Sequence, residues 1–301
     1  MIKVEKLSKR YGATTAVQEL SFEVPKGEVV GFLGPNGAGK TTTMRIIAGS
    51  LGATEGRVTL DGQDVFENPR EVKKRIGYLP EVPPLYTDMK VRDYVRFAAR
   101  LKGVDDINGA AEATINRVGL APVAHRIIDH LSKGFRQRCG VAQALVHNPD
   151  VLILDEPYSG LDPAQRVEIR DLLKELAQED RTVILSTHVL ADIEAMCERV
   201  VIINKGKMVG QGPISELTKV LGGRTIKLSV ARPEGLLDVL SVIPGVLSIT
   251  PGEAGAISLF TEPGDIREQV AAAAVPHGLL EFSGRQSLED IFLHLTQQAE
   301  A

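Results

Sequence analysis

The segment Gly34-Pro35-Asn36-Gly37-Ala38-Gly39-Lys40-Thr41 sets three glycines, a lysine and a hydroxyl in the spacing GxxxxGK[ST]. Glycines carry no Cβ, so successive backbone N–H groups can turn toward one anion, and a helix that starts at the end of the loop adds a partial positive charge there. That combination holds a nucleoside triphosphate by its phosphates: Lys40 reaches the β- and γ-phosphates, Thr41 puts its hydroxyl on Mg²⁺ and Thr42 contacts the α-phosphate. A second set follows the apolar run Val151-Leu152-Ile153-Leu154, which delivers Asp155 and Glu156 at its end. Asp155 there holds Mg²⁺ through water, and Glu156 beside the γ-phosphate polarises the attacking water. An acidic pair after a strand can also merely cap a turn; the glycine-rich loop upstream is what favours the chemistry.

Both sets need strands that end where the ligand sits, because α/β sheets bind ligands at the C-terminal ends of their strands. The sequence supplies them. Strands are expected over Ile2–Val4, Thr15–Val24, Glu28–Leu33, Arg57–Leu60 and Ile76–Leu79, with a helix starting near Lys40. Pro80, Pro83 and Pro84 enforce a loop after Leu79. Val91, Tyr94, Val95, Ala98 and Leu101 recur at helical spacing up to Gly103, and more helix is expected around 108–118 and 134–147. The continuous apolar run 151–154 reads as a strand buried on both faces of a parallel sheet, followed by a helix over Pro163–Gln178 and a strand over Thr182–Ser186. From Thr225 the order changes to strand Thr225–Val230, helix Pro233–Val242, strands Val246–Thr250 and Ile257–Phe260, helix Asp265–Val275, strand Leu279–Ser283 and helix Ser287–Thr296. This βαββαβ pattern suits a small ferredoxin-like α+β domain. The expected division is residues 1–218 and 219–301.

Between the two phosphate-related sets lies Leu131-Ser132-Lys133-Gly134-Phe135-Arg136-Gln137-Arg138, heading a helix. Here the chain resembles the ATP-binding subunits of ABC transporters, over residues 1 to about 218 and with every motif in order. The resemblance implies a P-loop NTPase core with an antiparallel β subdomain and a helical subdomain, and ATP with Mg²⁺ as ligands. Ser132 and Gly134 match the signature that contacts the γ-phosphate held by the opposite subunit. Tyr11 matches the aromatic that stacks on adenine, Ser159-Gly160-Leu161-Asp162 the dimer-contacting loop, and His188 the switch histidine at the γ-phosphate. Glu81, in Gly77-Tyr78-Leu79-Pro80-Glu81, stands where most of the family has a glutamine that senses Mg²⁺ and the membrane partner, and Lys133 and Phe135 depart from the signature consensus. These departures, and the tail Ser287-Leu288-Glu289-Asp290-Ile291-Phe292-Leu293, resemble the ATPases of two-subunit exporters.

The 301 residues carry 35 Lys and Arg against 39 Asp and Glu, a formal net charge of −4, so no broad basic footprint for a phosphate backbone is present and nucleic acid is not expected as a partner. No apolar run approaches the ~20 residues that cross a bilayer. The chain is expected to be cytoplasmic, peripheral on the cytoplasmic face of the membrane through a separate membrane-spanning permease, and to act as a homodimer or heterodimer of ATPase subunits. Cys139 and Cys197 read as small buried apolar residues, and His125, His130, His147, His277 and His294 form no metal-ligand spacing. A soluble ABC ATPase acting on nucleic acid or the ribosome is the competing class. Against it, no sustained heptads separate Lys40 from Leu131, and one ATPase domain is present rather than two.

Overall fold

The computed structural model describes residues 1–177, 181–220, 224–252, 255–262, 264–284 and 292. The chain opens with β1 (Ile2–Tyr11), β2 (Thr14–Val24) and β3 (Val29–Leu33), and then the glycine-rich loop leads into α1 (Lys40–Ile47). β4 (Glu55–Leu60), β5 (Gln63–Asp64), α2 (Pro69–Lys74) and β6 (Ile76–Leu79) follow. Three helices come next, α3 (Val91–Leu101), α4 (Ile107–Arg117) and α5 (Lys133–Leu145), before β7 (Val151–Asp155), α6 (Pro163–Ala177), β8 (Thr182–Thr187), α7 (Leu190–Met196), β9 (Arg199–Asn204) and β10 (Lys207–Pro213).

Two sheets form from these strands. β2, β1, β4 and β5 pair antiparallel in that order, and β1 is interrupted by register shifts after Val4, where Lys6 takes a left-handed φ of 47°. The second sheet runs β10-β9-β3-β8-β7-β6, with parallel pairing from β9 through β6. All five residues of β7 are buried, as the unbroken apolar run requires of a central strand covered on both faces. One core joins the two sheets across α1: Phe22 meets Phe32 at a ring separation of 5.5 Å, and Met44 and Ile47 of α1 pack with Val58, Ile153 and Ile184. The glycine-rich loop is thus anchored on both sides by buried apolar surface. The expected mixed α/β fold of the P-loop type, with an antiparallel subdomain and a helical insertion, is what the chain adopts.

Contacts divide the chain into two compact units, Met1–Gly212 and Pro213–Ala301; the sequence pattern places the change after residue 218. After α8 (Ile214–Val220), the second unit contains β11 (Arg224–Val230), α9 (Leu236–Ser241), β12 (Val246–Pro251), β13 (Ala256–Thr261), α10 (Arg267–Ala274) and β14 (Leu279–Ser283). Its sheet order is β12-β13-β11-β14, all antiparallel, the strand arrangement that a βαββαβ chain takes in the ferredoxin-like fold. Ile226, Leu228 and Val230 alternate inward with Ile257 and Leu259, and Leu236, Leu240, Val270 and Ala274 of the two helices close that face into a separate core. The helix expected over Ser287–Thr296, Gln178 at the end of the Pro163 helix, and the quoted tail except Phe292 lie outside the described residues. Because each unit has its own core and every nucleotide motif precedes Thr225, a chain ending at residue 218 is expected to keep ATP binding. Equilibrium binding of ATP to that truncation checks this, and a folded truncation that binds none contradicts it.

Candidate active site

The glycine-rich loop before α1 takes its shape from glycine at positions where no other residue fits. A Cβ on Gly34 would meet the Ile203 carbonyl oxygen at 2.6 Å, and one on Gly39 would meet that of Ala16 at 2.5 Å. Gly37 and Gly39 also adopt left-handed φ angles of 79° and 100°. Gly39 is the N-cap of α1 and gives no side-chain cap, and no acidic residue sits in the first turn, so the positive end of the helix dipole faces the loop uncompensated. Ala38 is buried and ties the loop back by its N–H to the Pro35 carbonyl at 3.2 Å, while Pro35, Asn36, Gly37 and Thr41 are exposed.

Lys40 folds back over this loop. Its side chain is only 6% exposed, and Nζ donates to the Gly34 carbonyl at 2.9 Å and the Pro35 carbonyl at 3.3 Å. It also lies 3.3 Å from Oε1 of Glu156. Glu156 follows β7 with a left-handed φ of 48°, a conformation that costs a residue with a Cβ about 1–3 kcal/mol and persists where the surroundings enforce it. His188, just after β8, places Nδ1 2.9 Å from the same Glu156 oxygen and donates to it. Three parallel elements, α1 after β3, the turn after β7 and the turn after β8, therefore bring Lys40, Glu156 and His188 together. They line a cleft of about 440 Å³ with Asn36, Gly37, Gly39, Thr41, Thr42 and Glu81.

Asp155 sits beneath this cleft, fully buried, and accepts a hydrogen bond from the Ser186 hydroxyl at 2.8 Å on Oδ1. Burial pushes its carboxyl up from the ordinary carboxylate range; the Ser186 and Thr41 hydroxyls act against that, and the charges of Glu156 and Glu81 add to it. Its Oδ2 is buried with no hydrogen-bond partner. An orphaned carboxylate oxygen close to the Thr41 hydroxyl is a hard-oxygen donor set of the kind Mg²⁺ takes. No group of three His, Cys, Asp or Glu able to hold an ion occurs among the described residues.

The other sequence-derived candidates lie elsewhere. Ser132 caps α5, its hydroxyl accepting from the Phe135 N–H at 3.4 Å, and Gly134 is buried against Gln165, where a Cβ would approach 3.0 Å from Cδ. Both line a different cleft, of about 490 Å³, with Arg138 and Glu168 rather than with Lys40. Tyr11, at the end of β1, is about half exposed with the Lys9 ammonium 5.4 Å from its ring centre, and it does not line the Lys40 cleft. Cys139 and Cys197 are buried free thiols, both pushed up to about 12 by burial, which makes them inert packing groups. Gln137, which the sequence reading assigns no role, reaches the carbonyl of Pro157 from α5.

The parallel sheet, the glycine loop under Lys40 and the acidic pair at the end of β7 define a P-loop nucleoside triphosphatase. The ABC transporter family model matches residues 17–159. The ABC transporter ATP-binding protein YxlF of Bacillus subtilis is 38% identical over 301 residues, covering 97% of this chain and 98% of the relative. The bacitracin transport ATP-binding protein BcrA of Bacillus licheniformis is 39% identical over 220 residues, 73% of this chain and 72% of the relative. A solved dimeric bacterial ABC transporter cassette superposes with a TM-score of 0.66 at 25% identity, covering 71% of this chain and 99% of that one. The chain belongs to the ATP-binding subunits of ABC transporters, enzymes whose ATP hydrolysis is coupled to transport. No helix among the described residues is long and apolar enough to cross a membrane.

Proposed function

We propose that this subunit drives a separate membrane-spanning permease in the export direction, acting from the cytoplasmic face as one of a pair of ATPase chains that share two nucleotides. The observation that carries the reading is the separation of the two clefts. Lys40, Glu156 and His188 meet in one, whereas Ser132 and Gly134 line another, and a nucleotide held between two chains would touch both sets, one from each chain. The N-terminus of α5, with an exposed Ser132 hydroxyl beside it, is suited to a phosphate presented by a second chain.

Within one site, Lys40 binds the β- and γ-phosphates with backbone N–H groups of residues 36–42, Tyr11 stacks on the adenine, and Glu156 takes the proton of the attacking water while His188 orients its carboxylate. Thr41 and Asp155, with Glu81 at the cleft, would hold Mg²⁺, which when bound neutralises charge on the phosphates. Export is supported by the two-subunit exporter resemblance of Glu81 and the signature, and by the bacitracin transport protein among the relatives. The second unit would tune dimer stability or partner choice.

The exposed segment after Glu81 offers the contact to the permease. Tyr86 packs edge-on against Tyr94 and Phe97 yet remains 53% exposed, and Val82 beside Glu81 is 80% exposed. Photo-cross-linkers placed at Val82 and Tyr86 in native membranes are expected to capture a protein with several spans. Capture of ribosomal or DNA-bound proteins alone would instead favour the soluble class.

A further inference from the structure

We propose that Gln137 is a positioning residue for hydrolysis, its side-chain amide fixing the turn that presents Glu156. Gln137 lies on α5, 4% exposed, and its Nε2 donates to the Pro157 carbonyl at 2.9 Å in the protein interior. Pro157 follows Glu156 directly and has no N–H with which to anchor the turn. The turn is also tied by the Glu156 N–H to the Ser186 carbonyl at 2.9 Å, by the Ser159 N–H to the Glu156 carbonyl at 3.0 Å and by the Leu161 N–H to the Tyr158 carbonyl at 3.2 Å. Glu156 meanwhile holds a left-handed φ of 48° that needs support from its surroundings. The Gln137 bond ties this strained turn to α5.

The same helix begins at Ser132 and Gly134. A shift of its first turns is therefore passed through Gln137 to the carboxylate of Glu156 in the same chain, which sits in the Lys40 cleft. In the paired arrangement, contact of α5 with the partner's nucleotide then sets the geometry at this chain's own nucleotide. The inference rests on the reading of Glu156 as the group that polarises water.

Three full-length proteins test it: the parent, Gln137→Met and Gln137→Glu, with ATPase kinetics measured from about pH 6 to about pH 8. Methionine keeps length and removes the donor. A buried glutamic acid donates to the Pro157 carbonyl only while protonated, and burial raises its pKa toward neutrality. Gln137→Met is expected to lose about tenfold to a hundredfold in kcat with KM for ATP within about twofold, as for a misplaced catalytic group. Relative to the parent, Gln137→Glu is expected to gain at least about fivefold in rate as the pH falls across that range. A simple packing role would not produce that pH-dependent recovery. Parent-like kcat in a folded Gln137→Met, or a Gln137→Glu ratio flat with pH, overturns the proposal; where Gln137→Met does not fold, the ratio decides. Glu156→Gln separates the two layers, since full activity in that variant removes the reading beneath, whereas inactivity there with unaffected Gln137 variants removes this inference alone.

Discussion

Lys40→Ala is expected to abolish ATP turnover. The ammonium is buried, sits over the Gly34 and Pro35 carbonyls and lies 3.3 Å from Glu156, so it is already held where the phosphate charge would concentrate. A charge-assisted hydrogen bond contributes about 1.5–3 kcal/mol. Loss of contacts to both the β- and γ-phosphates therefore removes about 3–6 kcal/mol, or about two to four decades of kcat/KM. The substitution also removes the ammonium from beside the Glu156 carboxylate, which keeps its hydrogen bond with His188, so thermal unfolding is measured alongside the rate. Near-normal turnover in folded Lys40→Ala would remove the phosphate-loop assignment.

Glu156→Gln is expected to uncouple binding from hydrolysis. The amide keeps the size of the carboxylate and tolerates the left-handed backbone no worse, so the turn after β7 keeps its shape. It cannot accept a proton from water, and loss of a general base costs about 10²- to 10⁴-fold in rate. ATP binding should persist, because Lys40 and the glycine-loop N–H groups are untouched. Single-turnover hydrolysis against equilibrium ATP binding separates the two quantities; a variant that hydrolyses at the parent rate assigns water activation to another group.

Much of this architecture is legible in the sequence because it is encoded locally. The glycine spacing, the apolar run 151–154 and the βαββαβ order after residue 224 each depend on neighbours along the chain, and each folds as its pattern implies. The same holds for the meeting of Lys40, Glu156 and His188, since parallel strands in a sheet of this class bring their C-terminal ends to one edge. Other features depend on packing. β1 runs on to Tyr11, well past Val4, because register shifts let an irregular strand stay paired on both sides. The β9–β10 hairpin goes unread in the sequence although Val200-Val201-Ile202-Ile203 before Lys205-Gly206 carries a strand-and-turn signal; both turn residues take positive φ. Gln137 carries no signal of its own. A glutamine inside a helix is unremarkable until the Pro157 carbonyl is found beside it.

In the proposed assembly ATP joins two chains, each offering Ser132 and Gly134 to the nucleotide gripped by the other's Lys40. Size-exclusion chromatography with light scattering on Glu156→Gln tests it most directly, because unhydrolysed ATP then accumulates. The bridging γ-phosphate is absent from ADP, and binding that occurs only in the dimer stabilises the dimer by mass action. A dimer is expected with ATP, a monomer with ADP, and a monomer with ATP once Ser132→Arg places bulk at the N-terminus of α5. The same oligomeric state under all three conditions would contradict it.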